Sequence, residues 1–286
     1  MEIISNIAEM QKRSEGIRLS GGKIGLLPTL GFLHEGHLEL IRRGREISDK
    51  LVMSLFVNPT QFGPDEDLDK YPRDMEGDTA KAEAEGVDIV FTPSPEDMYP
   101  DGFQSSVKIE EITQFLCGKS RSGHFEGVTT VVAKLFNIVK PHFAMFGQKD
   151  FQQLAVIRRM VNDLNMDIQI IDVPTVREDD GLAMSSRNKY LSLEERKSAL
   201  SLKEAIDAAV KMVRDGETNS QAIISTVKKM ILSYPFTSVE YINICDPLTL
   251  EDIDIIKGKN LMAMAVKVGG TRLIDNCLLL ADDNDN

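Results

Sequence analysis

The sequence predicts an α/β protein, a Rossmann-like doubly wound parallel sheet followed by a smaller C-terminal α+β domain containing a short antiparallel sheet. Three observations carry this. Up to about residue 173, short apolar runs alternate with segments of helical period, the mark of strands buried on both faces between crossover helices. A polar, turn-rich stretch, VPTVREDDGLAMSSRN at 173–188, then breaks the pattern. Beyond it come two helical segments and three strand-like runs, the last two separated by Gly269-Gly270, a hairpin signal.

The elements follow in order. Strands are expected in IGLLP (24–28), LVMSLFV (51–57), VDIVF (87–91), HFAMF (142–146) and DIQIID (167–172). Between the first two, Leu40, Ile41, Gly44 and Ile47 mark the inward stripe of a helix. Val128, Val131, Val132, Leu135 and Val139 place one apolar stripe on a second helix; Leu154, Ile157, Val161 and Leu164 do so on a third. Helices near 193–214 and 218–232 precede runs SVEYINI, LMAMAVKV and TRLIDNCLLL, which read as the small sheet. Strand–helix–strand alternation gives the doubly wound half. The domains are accordingly expected at 1–175 and 176–286.

Composition narrows the function classes. A chain of 286 residues has room for one large or two modest domains, and 42% apolar with 27% charged residues lies far from disorder. Lysine plus arginine number 33 against 45 acidic residues, a formal charge of −12 that repels polyanions, so nucleic acid is not an expected partner. Cys117, Cys245 and Cys277 form no CxxC pair, which argues against a disulfide framework or thiolate zinc site. The longest apolar run, Leu261 to Val266, is far short of the roughly 20 residues a spanning helix needs. The start MEIISNIAEMQKR lacks the basic start and apolar centre of a signal peptide. No membrane partner and a cytoplasmic location are expected, with a frayed acidic tail at 281–286.

The chemistry concentrates at strand-to-helix turns. PTLGFLHEGHLELIRRGRE (28–46) puts His34 and His37 at a helix entrance, where backbone N–H groups and the positive helix end favour phosphate. Gly31 and Gly36 allow close backbone approach. Core or capping histidines are the plainer alternative. Zinc is rejected, because HEGH spaces its histidines three apart rather than four. In SLFVNPTQFG (54–63), Gln61 follows a strand end, where its amide can meet a hydroxy acid or an amine, although Asn58-Pro59 alone is a turn signal. FGQKDFQQL (146–154) offers Lys149 to developing phosphate charge and Asp150 as a helix cap, with Gln152 and Gln153 extending from the first turn. GLAMSSRNKYLS (181–192) places Ser185, Ser186 and Arg187 in a loop that can hold anions and move, with a hinge expected at 179–181; the plainer reading is a turn before a helix capped by Ser192 and Glu195. CGKSRSGHFEGVTTVV (117–132) reads as a loop with local positive charge from Lys119, Arg121 and His124. Neither GxGxxG nor a P-loop is present.

Five blocks, PTLGFLHEGHLELI, FVNPTQF, RSGHFEGVTTVVAKLF, FGQKDFQQL and DGLAMSSRN, together resemble the pantoate–β-alanine ligase family in order and spacing over nearly the whole chain. HEGH also resembles the HxGH signature of the wider nucleotidyltransferase and class I aminoacyl-tRNA synthetase group, and MSSR a shortened counterpart of its KMSKS loop. The resemblance implies ligation in two steps. Pantoate and ATP give pantoyl adenylate and pyrophosphate, and β-alanine then attacks the acyl carbon, releasing AMP; Mg2+ accompanies the ATP. It implies an ATP- and pantoate-binding domain at 1–175 and a lid domain at 176–286, in a homodimer. ATP contacts are implied at Leu30, Gly31, Phe32, Leu33, His34, Glu35, Gly36 and His37, at Gly147, Gln148, Lys149 and Asp150, and at Val176, Met184, Ser185, Ser186 and Arg187. His37 is the implied proton donor, with His34, Lys149 and Arg187 completing the catalytic set. Gln61 and Gln153 are the implied pantoate ligands, Gln61 also lying near β-alanine; the metal ligands are unknown. Leu30 stands where the family often has Met, Gln148 where many members have Glu, and Ser122 where Pro is common. The competing readings are another HxGH nucleotidylyltransferase and a catalytically silent nucleotide-binding regulator.

Overall fold

The computed structural model describes residues 1–64 and 66–281, so apart from Ala281 the acidic tail lies outside the described residues. In chain order the elements are β1 (Glu2–Ile4), α1 (Ile7–Leu19), β2 (Ile24–Thr29), α2 (Glu35–Ile47), β3 (Lys50–Leu55), α3 (Met75–Ala84), β4 (Ile89–Phe91), α4 (Pro95–Met98), α5 (Leu116–Ser120), α6 (His124–Val139), β5 (Phe143–Gly147), α7 (Phe151–Asp163), β6 (Gln169–Val173), α8 (Leu193–Ala199), α9 (Ser201–Arg214), α10 (Ser220–Leu232), β7 (Thr237–Cys245), β8 (Lys259–Val268) and β9 (Thr271–Leu280). They form two compact units. One comprises Met1–Glu110, Arg121–Gln148 and Val156–Pro174; the other comprises Glu111–Ser120, Lys149–Ala155 and the chain from Thr175.

The first unit is the expected doubly wound sheet, six parallel strands in the order β1-β4-β3-β2-β5-β6. Strands β2 to β6 are the five read from the apolar runs. The sixth, β1, was not legible because only Ile4 of its three residues is buried at this sheet edge. Strand order reverses at β2, with β3 and β4 on one side and β5 and β6 on the other. This is the switch point at which open α/β sheets gather ligand groups at the carboxyl ends of their strands. Leu27, Ile41, Leu51, Met53, Val90 and Met145 form the core beneath it.

Two helices depart from their expected faces. On α6 Thr129, Thr130, Ala133 and Phe136 are buried along with the expected stripe, so the helix is enclosed nearly all round. Helix α7 ends at Asp163, and Leu164 beyond it is 51% exposed, so the stripe stops at Val161.

In the second unit β7, β8 and β9 form an antiparallel sheet, and Val268 pairs with Thr271 across the Gly269-Gly270 turn as expected. Ala205, Ile206, Ile223, Val227, Met262, Met264 and Val266 fill the core between this sheet and helices α9 and α10. The single helix expected over 193–214 is two, α8 and α9, parting at Leu200. Buried Ser201 donates its hydroxyl to the Ser198 carbonyl at 2.6 Å, a local bond that competes with the helical ladder. The Ser192–Glu195 capping box at α8 is present in both directions.

Candidate active site

The turn between β2 and α2 is held by a residue that the sequence did not single out. Gly31, at φ +91°, and Phe32, at +55°, reverse the chain, and a Cβ on Gly31 would lie 2.9 Å from Leu55. The reversal aims the N–H groups of Phe32 and Leu33 at the two oxygens of Asp78, each at 2.7 Å, and Lys81 Nζ donates to the Leu33 carbonyl at 2.8 Å. Asp78 is 1% exposed on α3. The expected anion-directed amides thus exist, but at these two positions their anion is the protein's own carboxylate. Nothing in the apolar-poor segment MEGDTAKAEA marks a buried aspartate.

His34 is the N-cap residue of α2 and His37 lies in its first turn, as expected. The His34 N–H donates to His37 Nδ1 at 3.3 Å, and the His37 N–H to the His34 carbonyl at 2.7 Å. The rings lie 4.1 Å apart. Because Nδ1 accepts, a neutral His37 carries its proton on Nε2, the form that can donate beyond the turn. Glu35 is exposed, while Gly36 and Leu30 are half-buried.

Gln61 closes a short 3-10 turn, Pro59–Gln61, beyond β3, whose Thr29–Leu55 pairing sets this turn beside the one that follows β2. The turn reading of Asn58-Pro59 is therefore correct, and it is also what seats Gln61. Asn58 Nδ2 donates to Gln61 Oε1 at 3.2 Å, and His124 Nδ1 donates to the Gln61 carbonyl at 2.8 Å. Arg121 donates to His124 Nε2 at 2.9 Å and grips Glu66 with two hydrogen bonds. Burial alone would raise the Glu66 pKa, but Arg121 more than offsets it and holds the carboxyl below its ordinary range. The positive loop expected at 117–132 is corrected accordingly: Lys119 falls on α5, Arg121 is neutralised by Glu66, and His124 supports Gln61.

Gly147 ends β5, next to β2 in the sheet, and Gln148 Nε2 donates to Asp172 at the end of β6 at 2.6 Å. Burial pushes the Asp172 carboxyl up, and Gln148 and Arg158 outweigh that, so its pKa falls below the ordinary value. The first unit thus gathers Leu30–His37, Gln61, Gly147 and Gln148 at the carboxyl edge of β2, β3 and β5.

The remaining predicted residues belong to the second unit. Lys149 and Asp150 complete a 3-10 turn that runs directly into α7, so Asp150 is already helical rather than an extended cap. Lys149 Nζ lies 3.7 Å from Asp150, and the Lys149 carbonyl accepts from Asn276 Nδ2 at 2.8 Å. Gln152 is corrected to a structural role. It is 5% exposed, donates to the carbonyls of Ile112 and Phe115 and accepts from the Gly118 N–H, whereas Gln153 is half-buried.

Val176 pairs through its carbonyl with the Met184 N–H at 3.0 Å, closing a tight hairpin. Its tip, 179–181, where a hinge is expected, carries side-chain bonds. Arg177 makes a two-pronged pair with buried Asp275 and also donates to the Gly181 carbonyl, while Arg196 holds both Glu178 and Asp180. The Ser185 hydroxyl caps the following turn by accepting from the Arg187 N–H at 3.3 Å; Ser186 is buried and Arg187 half-buried.

A parallel sheet with a reversal of strand order, and two imidazoles on the helix entrance beside it, define a doubly wound α/β protein whose polar side chains gather at its switch point. Residues 2–278 match the family described as pantoate-beta-alanine ligase. The chain is 55% identical over 279 residues to the pantothenate synthetase of Desulfatibacillum aliphaticivorans, covering 98% of this chain and 99% of that protein. It is also 55% identical over 279 residues to that of Geobacter sulfurreducens, with the same coverage. The fold matches crystallised pantothenate synthetase from Thermus thermophilus with a TM-score of 0.91 at 42% identity, covering 97% and 99% of the two chains. It matches the pantoate-beta-alanine ligase of Francisella tularensis, crystallised with β,γ-ATP and β-alanine, with a TM-score of 0.79 at 33% identity, covering 97% of each. The chain belongs to the pantoate-beta-alanine ligase family.

Proposed function

We propose that this chain joins pantoate to β-alanine at the expense of ATP, by way of a pantoyl adenylate, releasing AMP and pyrophosphate. The observation that supports it best is the imidazole pair on the α2 N-terminus at the strand-order reversal, in a chain so close to named ligases over its full length. A carboxylate is a poor acyl donor because its oxygen is a poor leaving group; in the mixed anhydride with AMP, the β-alanine amine attacks the acyl carbon and the group that leaves is AMP, a stable phosphate monoester. The work of the protein is to set the pantoate carboxylate in line with the α-phosphorus and to stabilise charge on departing pyrophosphate.

His37, with its proton on Nε2, is the proposed donor to the phosphate oxygens, and the α2 N-terminus adds a positive potential. Leu30–His37 and Gly147–Asp150 are proposed to contact ATP, as are Val176 and Met184–Arg187, with His34, Lys149 and Arg187 sharing the charge stabilisation. Gln61 and Gln153 are the proposed pantoate ligands. Residues 1–175, apart from 111–120 and 149–155, which group with the second unit, are then the proposed ATP- and pantoate-binding domain and 176–286 the lid. Mg2+ keeps several waters and is usually held through substrate phosphates and one or two carboxylates. Among the described residues no group of three or more His, Cys, Asp or Glu is set to cage an ion. No described helix is long and apolar enough to cross a membrane. A cytoplasmic homodimer is the proposed working form, and a single monomer-sized boundary in sedimentation at micromolar concentration would refute the dimer.

The test is pantoate-dependent exchange of labelled pyrophosphate into ATP. Exchange without β-alanine, and AMP formed only with both acids present, is the expected result. Pyrophosphate release without AMP when all substrates are present would refute ligation and favour another nucleotidylyltransferase, and no exchange at all would leave a nucleotide-binding regulator.

A further inference from the structure

The side-chain amide of Gln61 is oriented by a chain of hydrogen bonds whose direction can be read atom by atom. The Gly127 carbonyl can only accept, and it lies 3.1 Å from the Asn58 amide, so that face of Asn58 is Nδ2. The same Nδ2 faces Gln61 at 3.2 Å, which fixes the facing atom as Gln61 Oε1. On its other side Asn58 Oδ1 accepts from the Tyr99 hydroxyl at 2.7 Å and from Thr60 Oγ1 at 3.0 Å. Asn58 is fully buried, so a flipped amide would set its oxygen against the Gly127 carbonyl, acceptor against acceptor, in a place closed to solvent. With Oε1 engaged, the N–H donors of Gln61 Nε2 are turned away from Asn58.

We propose that Tyr99 is a positioning residue for the acid substrate: its hydroxyl anchors the Asn58 amide, whose direction the Gly127 carbonyl fixes, and so holds Gln61 offering N–H donors to a hydroxyl or carboxylate oxygen rather than an acceptor to an ammonium group. This rests on the assignment of Gln61 as a pantoate ligand. Burial raises the Tyr99 phenol above its ordinary range, so it remains a donor throughout any assay pH. Its ring packs against Phe56 at 6.4 Å and edge-on against Phe103 at 5.2 Å, so the hydroxyl can be removed while the ring keeps its place.

The experiment is a double-mutant cycle of Tyr99→Phe and Gln61→Ala, read as KM and kcat for pantoate with ATP and β-alanine saturating, and as pantoate affinity by calorimetry. Tyr99→Phe is expected to raise the pantoate KM about three- to tenfold, the worth of one buried hydrogen bond, with kcat and the KM for ATP within about twofold. In the Gln61→Ala background the same change should add nothing. Thr60→Val, at an exposed position that does not threaten folding, should raise the pantoate KM in the same direction by about twofold. An unchanged pantoate KM in both Tyr99→Phe and Thr60→Val overturns the proposal, as does an undiminished penalty in the Gln61→Ala background. If Gln61→Ala itself leaves pantoate affinity intact, the assignment of Gln61 is what fails, a result told apart by that single variant.

Discussion

Gly127→Ala on α6 sets two effects of opposite sign against each other. Alanine is favoured over glycine inside a helix by about 1 kcal/mol, so propensity alone makes the variant more stable. The added Cβ, however, would stand 2.3 Å from the Thr60 carbonyl oxygen, 2.6 Å from its carbon and 2.7 Å from the Gln61 nitrogen. All three are backbone atoms, which cannot rotate aside, and restoring ordinary contact requires a shift of about 1 Å. Overpacking of this kind costs about 1–3 kcal/mol, and the upper end applies because Asn58 and His124 pin the turn. The net expectation is a loss of about 1–2 kcal/mol, a fall in Tm of about 2–8 °C for a protein of this size. A displacement of that order at a substrate-positioning group costs about a hundredfold, so kcat/KM for pantoate should fall much further than stability implies. Gly16→Ala on α1 is the control, since nothing lies within 4 Å of its added Cβ and it should stabilise slightly. Thermal melting and pantoate kinetics on the two variants decide the matter. If Gly127→Ala melts at or above the parent and keeps its kcat/KM, the close approach of α6 to the Gln61 turn is not what holds Gln61.

Asp78→Asn can keep one of the two bonds to Phe32 and Leu33 but turns an NH2 toward the other amide. Urea unfolding should show a loss of about 2–3 kcal/mol, and an unmoved midpoint would contradict the clamp. Lys149→Ala should lower kcat about 10²- to 10³-fold with the fold intact by circular dichroism, if its ammonium stabilises phosphate charge. His142 accepts the Ile24 N–H at Nδ1, and burial, helped by Arg18 and Lys23 and opposed by Asp167 and Asp49, lowers its pKa from 6.5. A histidine depressed in the folded state contributes stability that is complete above the unfolded value and is lost as pH falls through that value toward the folded one. Subtracting the pH–stability curve of His142→Gln should therefore leave a deficit that opens below about pH 6.5; a flat difference would remove the linkage.

Much of the fold was legible because buried parallel strands write themselves as unbroken apolar runs, and a hairpin as two adjacent glycines. What escaped was set by context. β1 is an edge of three residues whose pairing with β4 leaves only Ile4 buried, and no local pattern encodes that. Helices α8 and α9 read as one because serine hydroxyls that break a ladder resemble serines that do not. On α6 the sequence showed an apolar stripe, while enclosure by its neighbours also buries Thr129 and Thr130.

The site shows the same division on a smaller scale. The imidazoles and Gln61 were visible as motifs, because polar residues at strand ends stand out against apolar runs. Asp78, Asn58, Tyr99 and His124, which hold the turn before the imidazoles and the Gln61 turn, come from α3, the turn after β3, the end of α4 and the start of α6, between 3 and 63 residues away from the groups they hold. Their effect depends on which atom of an amide or ring is presented, and that is decided by carbonyls such as those of Gly127 and Gln61, which every residue possesses and no sequence distinguishes. A substitution at these supporting positions should therefore alter substrate affinity while the imidazoles and Gln61 stay in place.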